Sequence, residues 1–267
     1  MTNELLNTLR EKYIKNLTKI EKLNHYFKLG EISYFNIKKN GIKNFRETSS
    51  GVGLGYSDSI LLDANVTSNF FKRFIYYLIN LFSFGKFFNE QKTLNKRLFD
   101  DLKEHYQFIY QNNKKVKNLI KRYKIENSTL FNCKTKVQIN KKFYSIHYLE
   151  ICNKMNFINE SIRLDKIYSY CEIGGGFGSN IHLIQQNFKN IKKFLLIDIF
   201  PTIYVATKYL QEIYGDAVIT YDKLSNKNEI RFSDNDKLEI ICLPNWEIEK
   251  FKSKIEHFHN GDSFSHL

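Results

Sequence analysis

The spacing of apolar residues divides the chain into a first part with a helical period and a second part in which short apolar runs alternate with helical segments. Near the start, Leu6, Leu9 and Tyr13 recur at steps of three or four, which predicts an amphipathic helix. Helices are predicted in this way at 4–27, 70–84, 92–110, 114–124 and, leading into the first strand, 143–160. We therefore expect residues 1–140 to form a mainly helical N-terminal region that contacts substrate or acts as a lid.

In the second part the apolar runs are short enough to be buried strands. Extended segments are predicted at 168–173, 193–198, 217–221 and 238–243, helices at 178–189, 202–214 and 247–254, and a further strand from His257. Alternation of strand and helix is typical of a parallel sheet. The predicted fold class is therefore α/β, with a Rossmann-like, doubly wound sheet over residues 141–267.

A glycine-rich turn joins the first of these strands to the first of these helices. Glu172 is followed at every second position by Gly174, Gly176 and Gly178, which gives the pattern E-x-G-x-G-x-G. Glycine accepts positive φ angles and leaves room for a ligand beside the backbone. The next apolar run ends in Asp198, and an acid at the tip of the second strand is where β-α-β nucleotide folds bind ribose hydroxyls. The pattern predicts a nucleoside cofactor.

The detailed glycine spacing separates two classes of cofactor. A dinucleotide fingerprint, G-x-G-x-x-G, would place its third glycine at Ser179, whereas this chain has the extra glycine at Gly178. With this glycine and with Glu172, the loop resembles that of class I methyltransferases, and the resemblance implies that it binds S-adenosyl-L-methionine. A dehydrogenase that binds a nicotinamide cofactor remains an alternative.

Several motifs in order resemble those of a bacterial family of sugar O-methyltransferases. They are Glu172-Ile-Gly-Gly-Gly-Phe-Gly, Leu196-Ile-Asp-Ile-Phe-Pro-Thr, Ala206-Thr-Lys-Tyr-Leu, Leu243-Pro244-Asn245-Trp246 and Asn260-Gly-Asp-Ser-Phe-Ser-His. The resemblance covers roughly residues 145–267. It implies a class I methyltransferase fold and methyl transfer from S-adenosyl-L-methionine to a sugar hydroxyl of a surface polysaccharide (capsule or lipooligosaccharide) or of its nucleotide-sugar or other precursor.

The same resemblance implies roles for individual residues. The three glycines would line the methionine and ribose, Asp198 would bind the ribose hydroxyls, and the adenine would lie between Ile199, Pro244 and Trp246. Packing within the core is the alternative for Trp246. A base would help to deprotonate the sugar hydroxyl, and we select His259 and His266, with His147 as a third candidate. Each of these histidines has a structural role as its alternative.

The chain departs from the family pattern at its end. His266 stands where the pattern has glutamate, and the sequence stops about where a fourth strand would lead into further strands. A truncated, non-catalytic protein that still binds cofactor is therefore an alternative.

Charge and cysteine content change this interpretation only slightly. The 41 Lys and Arg exceed the 28 Asp and Glu by a formal charge of +13, which suits nucleic acid, anionic membranes or phosphorylated substrates but also follows from a Lys-, Asn- and Ile-rich composition. A methyltransferase that acts on RNA or DNA is thus a rival hypothesis, as is one that acts on another small molecule, although no RNA-binding module is recognisable and nucleic acid is not favoured as a partner. The four cysteines form no C-x-x-C motif and predict neither a metal site nor disulfides, as expected for a cytoplasmic protein.

Two further segments admit two interpretations each. The Gly- and Ser-rich segment 44–59 could be a substrate lid in which Arg46 contacts an anion, or a mobile surface loop. The apolar segment 74–84 is too short to span a bilayer, so at most a peripheral membrane contact is expected, and a packed helix is the alternative.

Overall fold

A computed structural model describes residues 4–17, 25–48, 51, 54, 101 and 103–260 of the chain. The predicted helix at 70–84 and most of segment 44–59 lie outside the described residues. So does His266.

Two helices begin the described part of the chain. Helix α1 spans Glu4–Asn16 and helix α2 spans His25–Asn40. The single helix predicted over 4–27 is therefore wrong in its extent, because α1 ends at Asn16. The two helices are joined by Arg10 of α1, whose Nε and Nη2 atoms donate to the two carboxylate oxygens of Glu31 at 3.0 and 2.6 Å.

A second helical group and a hairpin precede the first strand of the main sheet. Residues 103–112 are helical, α3 spans Lys114–Arg122 and α4 spans Ile146–Ile162. Between α3 and α4, β1 (Lys136–Ile139) pairs with β2 (Lys142–Ser145) in an antiparallel hairpin.

The hairpin corrects the helix predicted from residue 143. Asn140 and Lys141 have φ angles of 50° and 65°, as a tight two-residue turn requires, so residues 142–145 pair with β1 instead of starting the helix. Ser145 then caps α4, with its Oγ accepting from the Tyr148 N–H at 3.4 Å. The helix therefore begins at Ile146, three residues after the predicted start.

The main sheet confirms the predicted α/β class. Its strands are β3 (Ser169–Ile173), β4 (Lys193–Asp198), β5 (Val218–Ile219), β6 (Glu239–Pro244) and β7 (His257–Asn260). All pairs are parallel, in the order β5-β6-β4-β3-β7. This order is compatible with a Rossmann-like fold. The strands β4, β5 and β6 lie on one side of β3, and β7 lies on its other side.

The connections between strands cover both faces of this sheet. Helices α5 (Ser179–Asn187) and α6 (Thr202–Tyr214) pack on the face that carries Tyr170, Phe194 and Leu196. The connection from β6 to β7 contains a 3₁₀ helix, Asn245–Lys250, where a helix near 247–254 was predicted, and it contributes Phe251 to the cluster on the other face. The predicted helix at 202–214 is confirmed. The helix predicted at 178–189 is present as α5, which ends at Asn187, two residues before the predicted end.

The N-terminal helices share their buried cluster with this sheet. Leu6, Leu9 and Tyr13 of α1 are buried in the same cluster as Phe194 and Leu196 of β4. Helix α2 reaches the turn after β4, where a Cβ added to Gly30 would lie 3.4 Å from the carbonyl oxygen of Phe200. Helices α1 and α2 thus lie beside the carboxyl end of β4. Among the described residues, no helix is both long and apolar enough to cross a membrane.

Candidate functional site

The glycine-rich turn between β3 and α5 forms a tight loop at the carboxyl end of the sheet. Gly174, Gly176 and Gly178 have φ angles of 69°, 57° and 85°, a region that side-chain-bearing residues rarely adopt. The Gly174 N–H donates to the Ile197 carbonyl of β4 at 2.8 Å, which fastens the loop to the neighbouring strand. Gly178 is the N-cap residue of α5, so the loop leads directly into that helix. The sequence pattern identified the turn correctly.

The remaining glycine of the loop, Gly175, lies against the acid that precedes it. A Cβ at Gly175 would stand 2.7 Å from the Leu196 Cδ1 atom and 2.8 and 2.9 Å from the Cδ and Oε2 atoms of Glu172. Backbone therefore approaches the Glu172 carboxylate closely enough that no side chain fits. The alternating pattern did not single out this glycine, although a Cβ added at Gly175 would meet closer neighbours than one added at Gly178.

Glu172 is buried beneath this loop with only half of its carboxylate in use. Its side chain is 1% exposed, and its Oε1 atom accepts from the Asn180 Nδ2 atom of α5 at 2.6 Å. The Oε2 atom is buried without a hydrogen-bond partner among the described residues. Burial raises the pKa of Glu172 to about 7, and the Asn180 bond opposes that rise. An unpartnered buried carboxylate oxygen costs free energy, which a ligand that donates a hydrogen bond would recover.

Asp198 stands at the tip of β4 and contacts the same loop. Its Oδ2 atom accepts from the Gly176 N–H at 3.0 Å, and its Oδ1 atom accepts from the Ile199 N–H at 2.7 Å. The residue is 8% exposed, and burial raises its pKa to about 8 against the effect of these two donors, with nearby Glu172 adding to the rise. Each oxygen keeps a second lone pair that a ligand hydroxyl could use.

The residues predicted to flank adenine lie beside Asp198. Pro244 of β6 is the register partner of Asp198, and Ile199 follows Asp198 directly. Trp246 is half-buried, with its ring 5.7 Å from that of Tyr13 and 6.4 Å from that of Tyr221. The structure thus places Ile199 and Pro244 beside Asp198, whereas the ring contacts of Trp246 are with Tyr13 of α1 and with Tyr221, as its alternative of packing within the core requires.

Two of the three candidate histidines, His147 and His259, are among the described residues, and they lie on different sides of the glycine loop. His259 of β7 is the register partner of Glu172, with its ring 6.3 Å from that of Tyr170. His147, in the first turn of α4, has its Nε2 atom 2.8 Å from the Ser179 Oγ atom of α5, and its ring is 5.4 Å from Phe177. The contact between His147 and Ser179 joins residues 32 positions apart, so sequence spacing could not reveal it.

Asn180 was missed by the sequence interpretation. Its position in the first turn of the helix behind the glycines was the available signal, because that turn faces back toward the strand end.

Arg46 does not occupy the exposed position that either interpretation of segment 44–59 required. It is 1% exposed, and its Nη1 atom donates to the carbonyl oxygens of Ser128 and Leu130 at 2.6 and 2.9 Å. Its Nη2 atom donates to the Ser145 Oγ atom at 2.9 Å, and its guanidinium lies 5.1 Å from the Phe177 ring centroid. The prediction of an anion contact is therefore wrong. Arg46 instead connects Ser128, Leu130 and Ser145 to one another and lies against Phe177 of the glycine loop.

A cavity of about 640 Å³ opens at the opposite, amino-terminal edge of the sheet. Arg231, Lys252 and Lys254 line it together with Asp234 and Glu256, so positive and negative groups alternate around its wall. None of the described residues that line it has a buried side-chain polar atom without a hydrogen-bond partner, as Glu172 has. We therefore place the candidate site at the glycine loop, where the chemistry converges, and not at this cavity.

Comparison with protein-family models, with curated proteins and with solved structures finds no match to this chain. The case for a function therefore rests on the geometry around Glu172, the glycine loop and Asp198.

Proposed function

We propose that this protein binds S-adenosyl-L-methionine at the glycine loop and transfers its methyl group to a sugar hydroxyl. The observation that carries the proposal is the unpartnered Oε2 atom of Glu172, buried under the loop at the start of α5. A helix N-terminus alone attracts phosphates as well as other polar groups. The acid beside it decides between ligands.

The pyrophosphate of a dinucleotide would place negative charge near Glu172, whereas the amino-acid end of S-adenosyl-L-methionine would place a positively charged ammonium group there. Two like charges about 4 Å apart repel by roughly 4 kcal/mol at the effective dielectric of a partly solvated site. A dinucleotide could therefore bind only with Glu172 protonated, whereas a ligand ammonium group would both neutralise the carboxylate and donate to its free oxygen. This favours the methionine end of S-adenosyl-L-methionine over the pyrophosphate of a nicotinamide or flavin dinucleotide.

The position of Asp198 fits the ribose of the same ligand. Asp198 and Glu172 end neighbouring strands, and the Gly176 N–H bond to Asp198 holds the loop between them. Open parallel sheets bind ligands at the carboxyl ends of strands where the chain order reverses, which here is between β3 and β7. Pro244 and Ile199 would then border the adenine.

When bound, S-adenosyl-L-methionine supplies an electrophilic methyl group, and the remaining tasks fall to protein groups. The acceptor hydroxyl must be aligned with the methyl carbon and must lose its proton. His259 lies next to Glu172 in the sheet and is our candidate for receiving that proton, together with His266. The choice of a sugar of a bacterial surface polysaccharide, or its precursor, as acceptor comes from the motif resemblance.

Titration of the purified chain with S-adenosylhomocysteine and, separately, with NADH tests the proposal. We expect micromolar calorimetric binding of S-adenosylhomocysteine and at least a hundredfold weaker binding of NADH, because only the former presents an ammonium group to Glu172. Tighter binding of NADH would replace the proposal with a dehydrogenase, and a folded chain that binds neither would contradict any nucleoside site.

The affinity for S-adenosylhomocysteine should rise with pH. The pKa of Glu172 in the unliganded protein is raised to about 7, so its ionised fraction increases about tenfold between pH 6 and pH 8. Because the ligand cation requires the ionised form, we expect the association constant to increase by about the same factor, with proton release on binding below pH 8. The raised pKa of Asp198 acts in the same direction.

Calorimetry in two buffers of different ionisation enthalpy measures that released proton. A Glu172→Gln variant is the matched control, since glutamine keeps the size and the bond from Asn180 but cannot ionise. Its affinity should be lower and should rise less with pH than that of the original chain, because Asp198 is then the one of the two acids left to ionise. An affinity of the original chain that falls as pH rises would contradict the assignment.

A further inference from the structure

Two phenylalanines on the helical side of the molecule are largely exposed. Phe108, in the helix over 103–112, and Phe157, in α4, are each 71% exposed. Phe108 is two residues from both Tyr106 and Tyr110, which pack partly buried against the core. A two-residue step turns an α-helix by about 200°, so Phe108 points away from the protein. Single exposed apolar residues are common, so the exposure of these two is informative only together with the basic helix that lies between them in the sequence.

The helix between them is strongly basic. All nine residues of α3, Lys114–Arg122, form the sequence KKVKNLIKR, which contains no acid. Val116 and Leu119 are the buried residues of this helix, so its lysines lie on the opposite side. Lys114, Lys115 and Lys121 are exposed. This helix therefore presents a basic outer face.

Hydrogen bonds hold these three elements together. Tyr110 donates to the Glu150 carboxylate of α4 at 3.2 Å, which joins the helix over 103–112 to α4. Arg122 and Tyr123, at the end of α3, each donate to the Asn156 Oδ1 atom of α4 at 2.9 Å. Phe157 follows Asn156 directly, so it is one position along α4 from the residue that α3 contacts. Asn113 fixes the corner between the first two helices, with its Oδ1 atom accepting from Lys115 N at 2.9 Å.

We propose that the outer faces of the helix over 103–112, of α3 and of the C-terminal half of α4 form a docking surface for an anionic lipid bilayer. Lysines next to such a surface are attracted to its negative potential, and exposed phenylalanine rings enter the boundary between headgroups and acyl chains. The two contributions act together, which is what stable peripheral binding requires. Glu104, exposed one turn before Phe108, and Glu160, 3.6 Å from Arg122, weaken the positive field on the two flanking helices, so the field is concentrated at α3, which has no acid.

The distribution of groups favours a bilayer over a nucleic acid. Single-stranded nucleic acid is bound in grooves where aromatic rings stack on successive bases. Here the rings extend from the outward sides of two different helices. The cations are mostly lysines, which attract negative charge without the forked hydrogen bonds that arginine makes with phosphate.

Sedimentation of the full chain with vesicles tests this surface. We expect binding to vesicles of phosphatidylglycerol and phosphatidylcholine, weaker binding at high salt, and none to phosphatidylcholine alone. Phe108→Ser with Phe157→Ser should weaken binding at least tenfold, and Lys114→Glu, Lys115→Glu and Lys121→Glu together should do the same. Both variants should keep the melting temperature of the original chain.

Matched substitutions elsewhere are the controls. Phe35 is also exposed, on α2, and Lys15, Lys39 and Lys252 are exposed lysines on other elements. Phe35→Ser, and the three lysines changed to glutamate, should leave vesicle binding within twofold. Equal loss in these controls, no sedimentation of the folded chain with anionic vesicles, or tighter binding to poly(U) that the surface variants lose would each overturn the proposal. S-adenosylhomocysteine binding is measured in parallel and is expected to be unchanged.

Discussion

Replacing Asp198 by Ala should reduce the affinity for S-adenosylhomocysteine at least a hundredfold. Above pH 8, where Asp198 with its raised pKa is ionised, hydrogen bonds to its charged group contribute about 1.5–3 kcal/mol each, and the ribose would lose two of them. The variant also loses the bond from the Gly176 N–H to the Oδ2 atom, which holds the glycine loop against β4. Calorimetric titration of both proteins under the same conditions measures the difference.

An Asp198→Asn variant separates the two causes of this loss. Asparagine keeps an oxygen that can accept from a backbone N–H, so the loop should stay in place, but it removes the negative charge. We expect its affinity to lie between those of the original chain and of the alanine variant. Asp216→Ala is the control for removal of an exposed aspartate, since Asp216 lies on the surface after α6. An alanine variant at position 198 that binds S-adenosylhomocysteine as the original chain does would place the ligand elsewhere.

The three central strands of the sheet could be predicted from the sequence because they are almost fully buried. The run from Lys193 to Asp198 is buried at every position, and that from Glu239 to Pro244 at all but its first. Such runs read as continuous apolar segments between polar turns. The helix at Thr202–Tyr214 was predicted with its correct ends because Gly215 follows it, with a φ angle of 54°. Local signals were sufficient in these segments.

The outline of the candidate site was also local. The acid, the three glycines with positive φ angles and Asp198 lie within 27 residues of chain, at strand ends that a parallel sheet places side by side. The predicted neighbours Ile199 and Pro244 were brought together for the same reason. Their roles in binding stay predictions, as does that of His259.

The contacts that sequence could not predict join distant segments. Arg46 reaches Ser145 across 99 positions, and α1 contributes Tyr13 beside Trp246. The hairpin before α4 was missed because its strands are only four residues long: β1 alternates polar and apolar residues, but β2 does not, and runs this short give a weak periodic signal. Tertiary packing decided these positions, and a periodic pattern contains no information about it.

Replacing Arg46 by Met should destabilise the folded protein by roughly 3–5 kcal/mol, since it leaves two buried carbonyl oxygens and one hydroxyl without their donor. Those acceptors belong to Ser128, Leu130 and Ser145. Relief from burying a guanidinium opposes this loss, because charged groups are costly to desolvate. The loss should win here, because methionine fills the space but cannot donate to any of the three acceptors. Urea unfolding followed by circular dichroism measures the change.

Two other arginine variants show whether burial causes this effect. Arg163 is exposed and pairs with Asp165 at 3.0 Å, so Arg163→Met should leave the unfolding midpoint unchanged. Arg46→Lys keeps the charge but has a single donor nitrogen, which cannot reach all three acceptors. Its free energy of unfolding should therefore lie between those of Arg46→Met and of the original chain. A free energy of unfolding for Arg46→Met within 1 kcal/mol of that of the original chain would contradict this prediction, because the three acceptors would then be satisfied without the arginine. Because Arg46 also lies against Phe177 of the glycine loop, we expect its loss to weaken S-adenosylhomocysteine binding as well as folding.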